Sequence, residues 1–203
     1  MSCDEGGVAE IVRAAMHALD YDEVHTDAMG NVVGLIGPKD APVRLLFDGH
    51  MDVVPATGPW QRQPFSGDVA DGRVHGRGST DMKGPLAAAI CGVAQAARQR
   101  PLGCRVAVSA SVMEEVIEGA ALGAVLDTHA PEMVVICEPS DLKVMTAQRG
   151  CVEVLVHVRG IPAHAAFPDR GVNAIELAAR ATNALSELEM PIDPVLGQMC
   201  LVP

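Results

Sequence analysis

Six residues that could bind a metal or move a proton follow apolar stretches of this chain or lie in a glycine-rich loop. Ligands of α/β proteins bind outside the carboxyl ends of the strands. One imidazole with several carboxylates is a donor set that suits zinc and similar divalent ions. The sequence therefore predicts a metal site. The residues concerned are His50, Asp52, Asp81, Glu114, Glu115 and Glu138.

Each of these signals also has a structural interpretation when it is taken alone. A histidine at a strand end often serves only the fold. Glu114 and Glu115 could be a solvated helix start, where acids favour the positive end of the dipole. Glu138, which precedes Pro139, could be an exposed acid in a turn. Because these signals occur together at successive strand ends, the metal site is the favoured interpretation.

His50 and Asp52 are two residues apart in an extended segment, so their side chains are expected to point the same way. Asp52 is then placed to accept the second ring N–H of His50 and to orient the imidazole. Asp81 lies in the glycine-rich loop 76–84. A phosphate-binding loop is an alternative there, but the order G-x-x-x-x-G-K-[ST] is absent.

The elements that would position these residues form an α/β pattern of alternating strands and helices. The apolar spacing predicts helices over 8–19, 85–98 and 118–128. It predicts strands over 31–37, 43–47, 105–112 and 133–137, the last buried on both faces. Residues 55–80 are predicted to form a long functional loop with a short hairpin.

The pattern changes after about residue 147. Residues 151–159 alternate between valines and polar side chains, which predicts a half-exposed antiparallel strand. A loop and a helix over 172–188 follow. The predicted fold is therefore an α/β layered sheet with flanking helices over 1–147, and the start of an α+β domain over 148–203.

Composition limits the partners that the chain can have. A net charge of −11 argues against nucleic acid, which needs a basic face. No apolar run approaches the ~20 residues of a membrane helix. The six cysteines form no C-x-x-C pair. Since the start shows no secretory signal, we expect reduced thiols and a cytoplasmic location.

Four segments together resemble a known family in their order along the chain. They are Gly-His-Met-Asp-Val-Val-Pro at 49–55, Gly-Arg-Gly-Ser-Thr-Asp-Met-Lys-Gly at 76–84, Glu-Glu-Val-Ile-Glu-Gly at 114–119 and Cys-Glu-Pro-Ser at 137–140. They are similar to the motifs of the dinuclear zinc deacylases and exopeptidases. That family includes acetylornithine deacetylase, succinyl-diaminopimelate desuccinylase and glutamate carboxypeptidase.

The resemblance implies a zinc-exopeptidase-like catalytic domain with two Zn²⁺ ions, and such mixed sites also accept Co²⁺ or Mn²⁺. His50 and Glu138 would bind one zinc, Glu115 the other, and Asp81 would bridge both. Asp52 would orient His50, and Glu114 would be the general base. The resemblance also implies a cis peptide bond between Asp81 and Met82.

In the second domain the resemblance implies a lid and dimerisation role. His164, in Gly-Ile-Pro-Ala-His-Ala, would stabilise the oxyanion, commonly in the active site of the partner subunit of a homodimer. Asn173 and Arg149 would contact substrate. For Asn173, a plain helix N-terminal asparagine is the alternative.

The chain departs from the family in its length. Family members return to the catalytic domain and donate a last histidine to the second zinc, whereas His164 is the last histidine here. We therefore expect an incomplete catalytic domain and a fragment. The leading hypothesis is a zinc amidohydrolase acting on an N-acyl amino acid or small peptide. The alternative is a truncated, inactive module that binds metal or serves in association.

Overall fold

The computed structural model describes all 203 residues, which divide into two compact units, 1–142 and 143–203. The predicted boundary lies at 147/148, and the catalytic and lid roles of the two parts stay predictions. No helix of the structure is both long and apolar enough to cross a membrane.

The first unit is built on a mixed five-stranded sheet with three helices. Its helices are α1 (Gly6–Ala18), α2 (Gly84–Gln99) and α3 (Ala120–His129). The sheet strands are β1 (Glu23–Thr26), β2 (Val32–Ile36), β3 (Val43–His50), β6 (Arg105–Ser111) and β7 (Met133–Ile136). A separate hairpin, β4 (Asp68–Ala70) and β5 (Arg73–His75), lies in the predicted long loop.

The strand order is β1-β2-β6-β3-β7, and β3 is parallel to both of its neighbours, β6 and β7. Apolar side chains project from both faces of the sheet and form two core clusters. Val12 and Met16 of α1 and Ile90 of α2 belong to one core cluster, and Val125 of α3 belongs to the other. The α/β layered architecture predicted from the sequence is confirmed.

Local signals explain where α2 begins and ends. Pro85 occupies its first turn, where a missing N–H costs nothing. Arg100 is extended, with φ −158° and ψ 145°, because it precedes Pro101 and proline disfavours helix at the residue before it. Alanines fill the body of the helix.

Two predicted features differ from the structure. Strand β7 is not buried on both faces, because it is the last strand of the sheet and its four residues are 39–59% exposed. Residues 151–159 form no regular strand. No strand of the second unit pairs with that segment, and its valines, such as Val152 at 85% exposed, find no layer to cover them.

The second unit contains α4 (Ala174–Ser186) and a short hairpin of β8 (Ile192–Asp193) and β9 (Gly197–Gln198). An isolated antiparallel bridge joins Ile161 to Val172. Arg149 donates to the carbonyl oxygen of Leu196 from Nε at 3.1 Å and from a terminal nitrogen at 2.6 Å.

Candidate metal centre

The three parallel strands end side by side at one edge of the sheet. His50, the last residue of β3, pairs in register with Ser111, the last residue of β6. Ile136 ends β7 opposite Asp48, and the N–H of Cys137 donates to the carbonyl of Asp48 at 2.9 Å. The segment after β6 carries Glu114 and Glu115, called the acid pair below, and the segment after β7 carries Glu138. Both segments therefore leave the sheet beside His50.

Asp81 reaches the same edge from a kinked turn over Ser79–Lys83, which precedes α2. The peptide bond between Asp81 and Met82 is cis, as the family resemblance implied. The Met82 side chain is buried in the first unit, whereas the Asp81 side chain is 53% exposed. The turn thus presents a half-exposed carboxylate to the buried His50.

Four carboxylates surround Nε2 of His50, a side chain that is only 1% exposed. Oδ1 of Asp81 lies 3.0 Å from this nitrogen, Oε1 of Glu138 lies 3.7 Å away and Oε2 of Glu114 lies 3.9 Å away. Glu115 offers an oxygen within 4.8 Å of the donor atoms of His50 and Asp81. The structure therefore brings together every residue of the first unit for which a metal or proton-transfer role was predicted.

The donors form two overlapping sets that share the histidine. One set is His50, Asp81 and Glu115, and the other is His50, Glu114 and Glu138. Within each set, one donor atom of every residue lies within 4.8 Å of the others. An imidazole nitrogen with carboxylate oxygens is a donor set that zinc, cobalt and manganese accept, so these residues fit a divalent ion.

Asp52 is fully buried and does more than the sequence predicted. The Nδ1 atom of His50 lies 3.0 Å from the main-chain carbonyl oxygen of Asp52, closer than the 3.4 Å to its carboxylate. The carboxylate itself accepts the backbone N–H groups of Glu114 and Glu115, each at 3.1 Å. Asp52 thus contacts the histidine and also fixes the backbone of the acid pair.

Burial, together with the crowding of the carboxylates, shifts the pKa values of groups at the site. Burial, with the charges of Asp81, Glu114 and Glu115, raises the pKa of Glu138 to about 7, although His50 opposes the rise. Burial also raises the pKa of Glu114, and Glu115 adds to that rise. Burial alone would lower the pKa of His50, but the hydrogen bond to Asp81 and the nearby carboxylates outweigh it and raise that pKa. Such mutual repulsion is what a bound cation relieves.

Lys83 is a residue of the glycine-rich loop to which sequence reasoning gave no role. Burial lowers its pKa, while the charges of Asp52, Glu115 and Glu5 raise it. This ammonium group is therefore close enough to those carboxylates to offset part of their charge. Its position directly after Asp81-Met82 was the only signal available in the sequence.

The candidate residues of the second unit have local partners of their own. His164 lines an open hollow of about 370 Å³, and its Nδ1 accepts the N–H of Ala166 at 3.1 Å. Asn173 caps α4 by accepting the N–H of Ile175 at 3.0 Å, as the alternative interpretation expected. The side chain of Arg149 is held by Leu196. Their predicted roles at substrate stay predictions.

A mixed sheet whose parallel strands end at one imidazole and several carboxylates defines an α/β protein that can hold divalent metal. Residues 46–199 match the model of peptidase family M20/M25/M40, and the chain belongs to that family. The resemblance inferred from the motifs is therefore confirmed.

Relatives share the sequence over most of this chain. It is 31% identical to the protein YgeY of Escherichia coli, over 97% of this chain and 50% of YgeY. It is 29% identical to succinyl-diaminopimelate desuccinylase of Cereibacter sphaeroides, over 92% of this chain and 53% of that enzyme. The chain thus spans about half the length of these curated relatives.

The fold matches a tripeptidase structure from Staphylococcus aureus with a TM-score of 0.56 at 20% identity. The match covers 90% of this chain and 51% of that one. At this identity the likeness concerns the fold alone.

Proposed function

We propose that the protein is a metal-dependent hydrolase that cleaves the amide bond of an N-acyl amino acid or a small peptide. The observation that carries the proposal is the convergence of the buried His50 with four carboxylates at the carboxyl edge of the sheet. The name of one matched relative, a succinyl-diaminopimelate desuccinylase, supports an N-acyl amino acid as the class of substrate.

In the proposed centre, His50 and Glu138 would hold one zinc, Glu115 would hold the second, and Asp81 would serve both. When bound, two such ions supply Lewis-acid activation of the scissile carbonyl and of the attacking water. Co²⁺ or Mn²⁺ would suit the same donors. Asp52 orients His50 through the contacts to its Nδ1 atom.

Glu114 is the proposed general base. Its Oε2 lies 3.9 Å from Nε2 of His50, so it borders the centre. Burial raises its pKa, and a raised pKa favours a carboxyl that accepts a proton from water and then releases it to the amine leaving group. The fixed backbone of the acid pair keeps this carboxylate at the site while the proton moves.

The second unit is proposed to serve in a homodimer, acting at the active site of the partner subunit. His164 would stabilise the oxyanion, and Asn173 and Arg149 would contact the substrate. The support is the motif that surrounds each residue together with the family match, which extends through residue 199.

Hydrolysis assays test this proposal. We would treat the protein with a chelator, restore Zn²⁺, Co²⁺ or Mn²⁺, and follow the release of free amine from N-acetyl and N-succinyl amino acids, dipeptides and tripeptides. The proposal predicts hydrolysis that disappears with the chelator and returns with metal. Metal binding without hydrolysis of any of these substrates would contradict it and favour the non-catalytic module.

A further inference from the structure

Three consecutive backbone N–H groups at the acid pair donate to buried carboxylates. The N–H of Met113 donates to Oε1 of Glu5 at 3.0 Å. The N–H groups of Glu114 and Glu115 donate to Oδ1 and Oδ2 of Asp52, each at 3.1 Å. The turn that carries the proposed base and a proposed metal ligand is therefore held by two side chains from distant parts of the sequence.

Glu5 is buried, at 7% exposed, although it is the N-cap residue of the surface helix α1. Its carboxylate makes no hydrogen bond to that helix. Instead, Oε1 of Glu5 accepts two backbone N–H groups. One belongs to Cys3, at 3.0 Å, and the other to Met113, which lies 108 positions after Glu5. Burying a carboxylate is costly unless it is hydrogen-bonded, so this arrangement indicates a role at Met113 rather than at the helix.

The same N-terminal segment also contacts the second carboxylate. The hydroxyl of Ser2 donates to Oδ2 of Asp52 at 2.6 Å, the oxygen that accepts the N–H of Glu115. Met113 has a φ of 56°, a backbone conformation that non-glycine residues seldom adopt without support. The backbone N–H of Met113 is the group that donates to the Glu5 carboxylate.

We propose that Glu5 is a positioning residue that holds the 113–115 turn, and with it the side chains of Glu114 and Glu115, in the geometry required for metal binding and proton transfer. The consequence for metal binding rests on the proposed function. The anchoring of the backbone by Glu5 is independent of the proposed function, because it can be measured on the metal-free chain.

The experiment compares Glu5→Asp, which keeps the charge and shortens the reach, with Glu5→Gln, which keeps the reach and the accepting oxygen. Glu10→Gln is the matched control, since Glu10 is an exposed residue of the same helix that pairs only with Arg13. Amide hydrogen exchange of the metal-free chain, followed by NMR, reports the 113–115 turn and the sheet separately.

We expect exchange at residues 113–115 to rise about tenfold or more in Glu5→Asp, because a hydrogen bond to a charged acceptor is lost, and exchange in the sheet to stay unchanged. Glu5→Gln and Glu10→Gln should exchange close to the wild-type rates. Unchanged exchange at the turn in Glu5→Asp, a rise spread over the whole chain, or equal behaviour of Glu5→Asp and Glu5→Gln would overturn the proposal.

Titration with Co²⁺, followed by visible absorption, tests the consequence for the site. Loss of a group that orients metal ligands weakens metal binding about tenfold or more. We therefore expect the Co²⁺ affinity to fall by this factor in Glu5→Asp and to stay unchanged in Glu10→Gln. Equal Co²⁺ affinity of wild type and Glu5→Asp would overturn the positioning role. A wild-type chain that binds no Co²⁺ would instead overturn the proposed function, while the exchange data would still decide the anchoring.

Discussion

At the residue scale, the centre is defined by an excess of negative charge around one buried imidazole. Asp81, Glu114 and Glu138 all lie within 3.9 Å of Nε2 of His50. Burial, with the charges of Asp81, Glu114 and Glu115, raises the pKa of Glu138 to about 7, so part of this carboxyl keeps its proton near neutral pH in the metal-free chain. A divalent ion would displace that proton.

Replacement of the proposed base tests its assignment. Glu114→Gln keeps the size of the side chain and its hydrogen-bonding oxygen but cannot take up a proton. We expect kcat to fall about 100-fold or more, the usual range for loss of a general base, with zinc binding retained. Steady-state kinetics and metal analysis of the same preparation check this, with Glu118→Gln as the nearby control. Normal turnover in Glu114→Gln would show that another group accepts the proton.

The convergence of His50, Asp81, the acid pair and Glu138 could be predicted because each residue follows a strand or lies in a glycine-rich loop, and the parallel strands align their ends. The link from Glu5 to Met113 could not, because a contact across 108 positions leaves no periodic signal. The preference of Nδ1 for the main-chain oxygen of Asp52 depends on exact backbone geometry, which residue spacing does not encode.

At the scale of elements, the site depends on how closely α1 approaches the sheet. Gly34 of β2 has no side chain, and a Cβ there would lie 2.6 Å from Sδ of Met16 and 2.6 Å from Cδ1 of Tyr21. Both of those side chains belong to the core. The missing side chain is therefore what allows α1, with Glu5 at its start, to pack on β2.

Gly34→Ala should destabilise the protein by about 1–3 kcal/mol, because a methyl group forced into a packed core strains its neighbours. Urea unfolding monitored by circular dichroism measures this. The matched control is Gly92→Ala in α2, where a Cβ meets no atom within 4 Å. That change should stabilise by about 0.5–1 kcal/mol through helix propensity. Loss of stability in Gly92→Ala, or none in Gly34→Ala, would contradict the packing described.

Elements with strong local patterns were predicted from the sequence, and elements that depend on neighbours were not. The predicted helix over 85–98 and the strand over 105–112 correspond to α2 and β6. The prediction that β7 is buried on both faces was wrong, because a run of apolar residues cannot reveal that a strand lies at the edge of a sheet. The strand predicted over 151–159 was wrong because alternation does not supply a pairing partner.

At the scale of the whole molecule, part of the net charge of −11 is concentrated at one site. Stability should therefore depend on pH. Since the pKa of Glu138 is raised to about 7 in the folded chain from an ordinary value of 4.5, the folded state holds this proton more tightly. The corresponding stability is present below pH 4.5 and is lost as the pH rises through about 7.

Thermal unfolding of the metal-free chain from pH 5 to pH 8 measures this dependence. Wild type should lose stability relative to Glu138→Gln as the pH rises, because the variant has no carboxylate to ionise. Glu189→Gln, an exposed position in the second unit, serves as the control and should follow wild type. A constant difference between wild type and Glu138→Gln across this range would contradict the raised pKa.

A zinc count by native mass spectrometry, on wild type and His50→Ala, tests the metal centre most directly. Both overlapping donor sets include His50, so its loss removes a ligand from each. We predict that the wild-type chain binds zinc at saturation and that His50→Ala binds less of it. No zinc on the wild-type chain, or equal zinc on both proteins, would contradict a metal centre at this edge of the sheet.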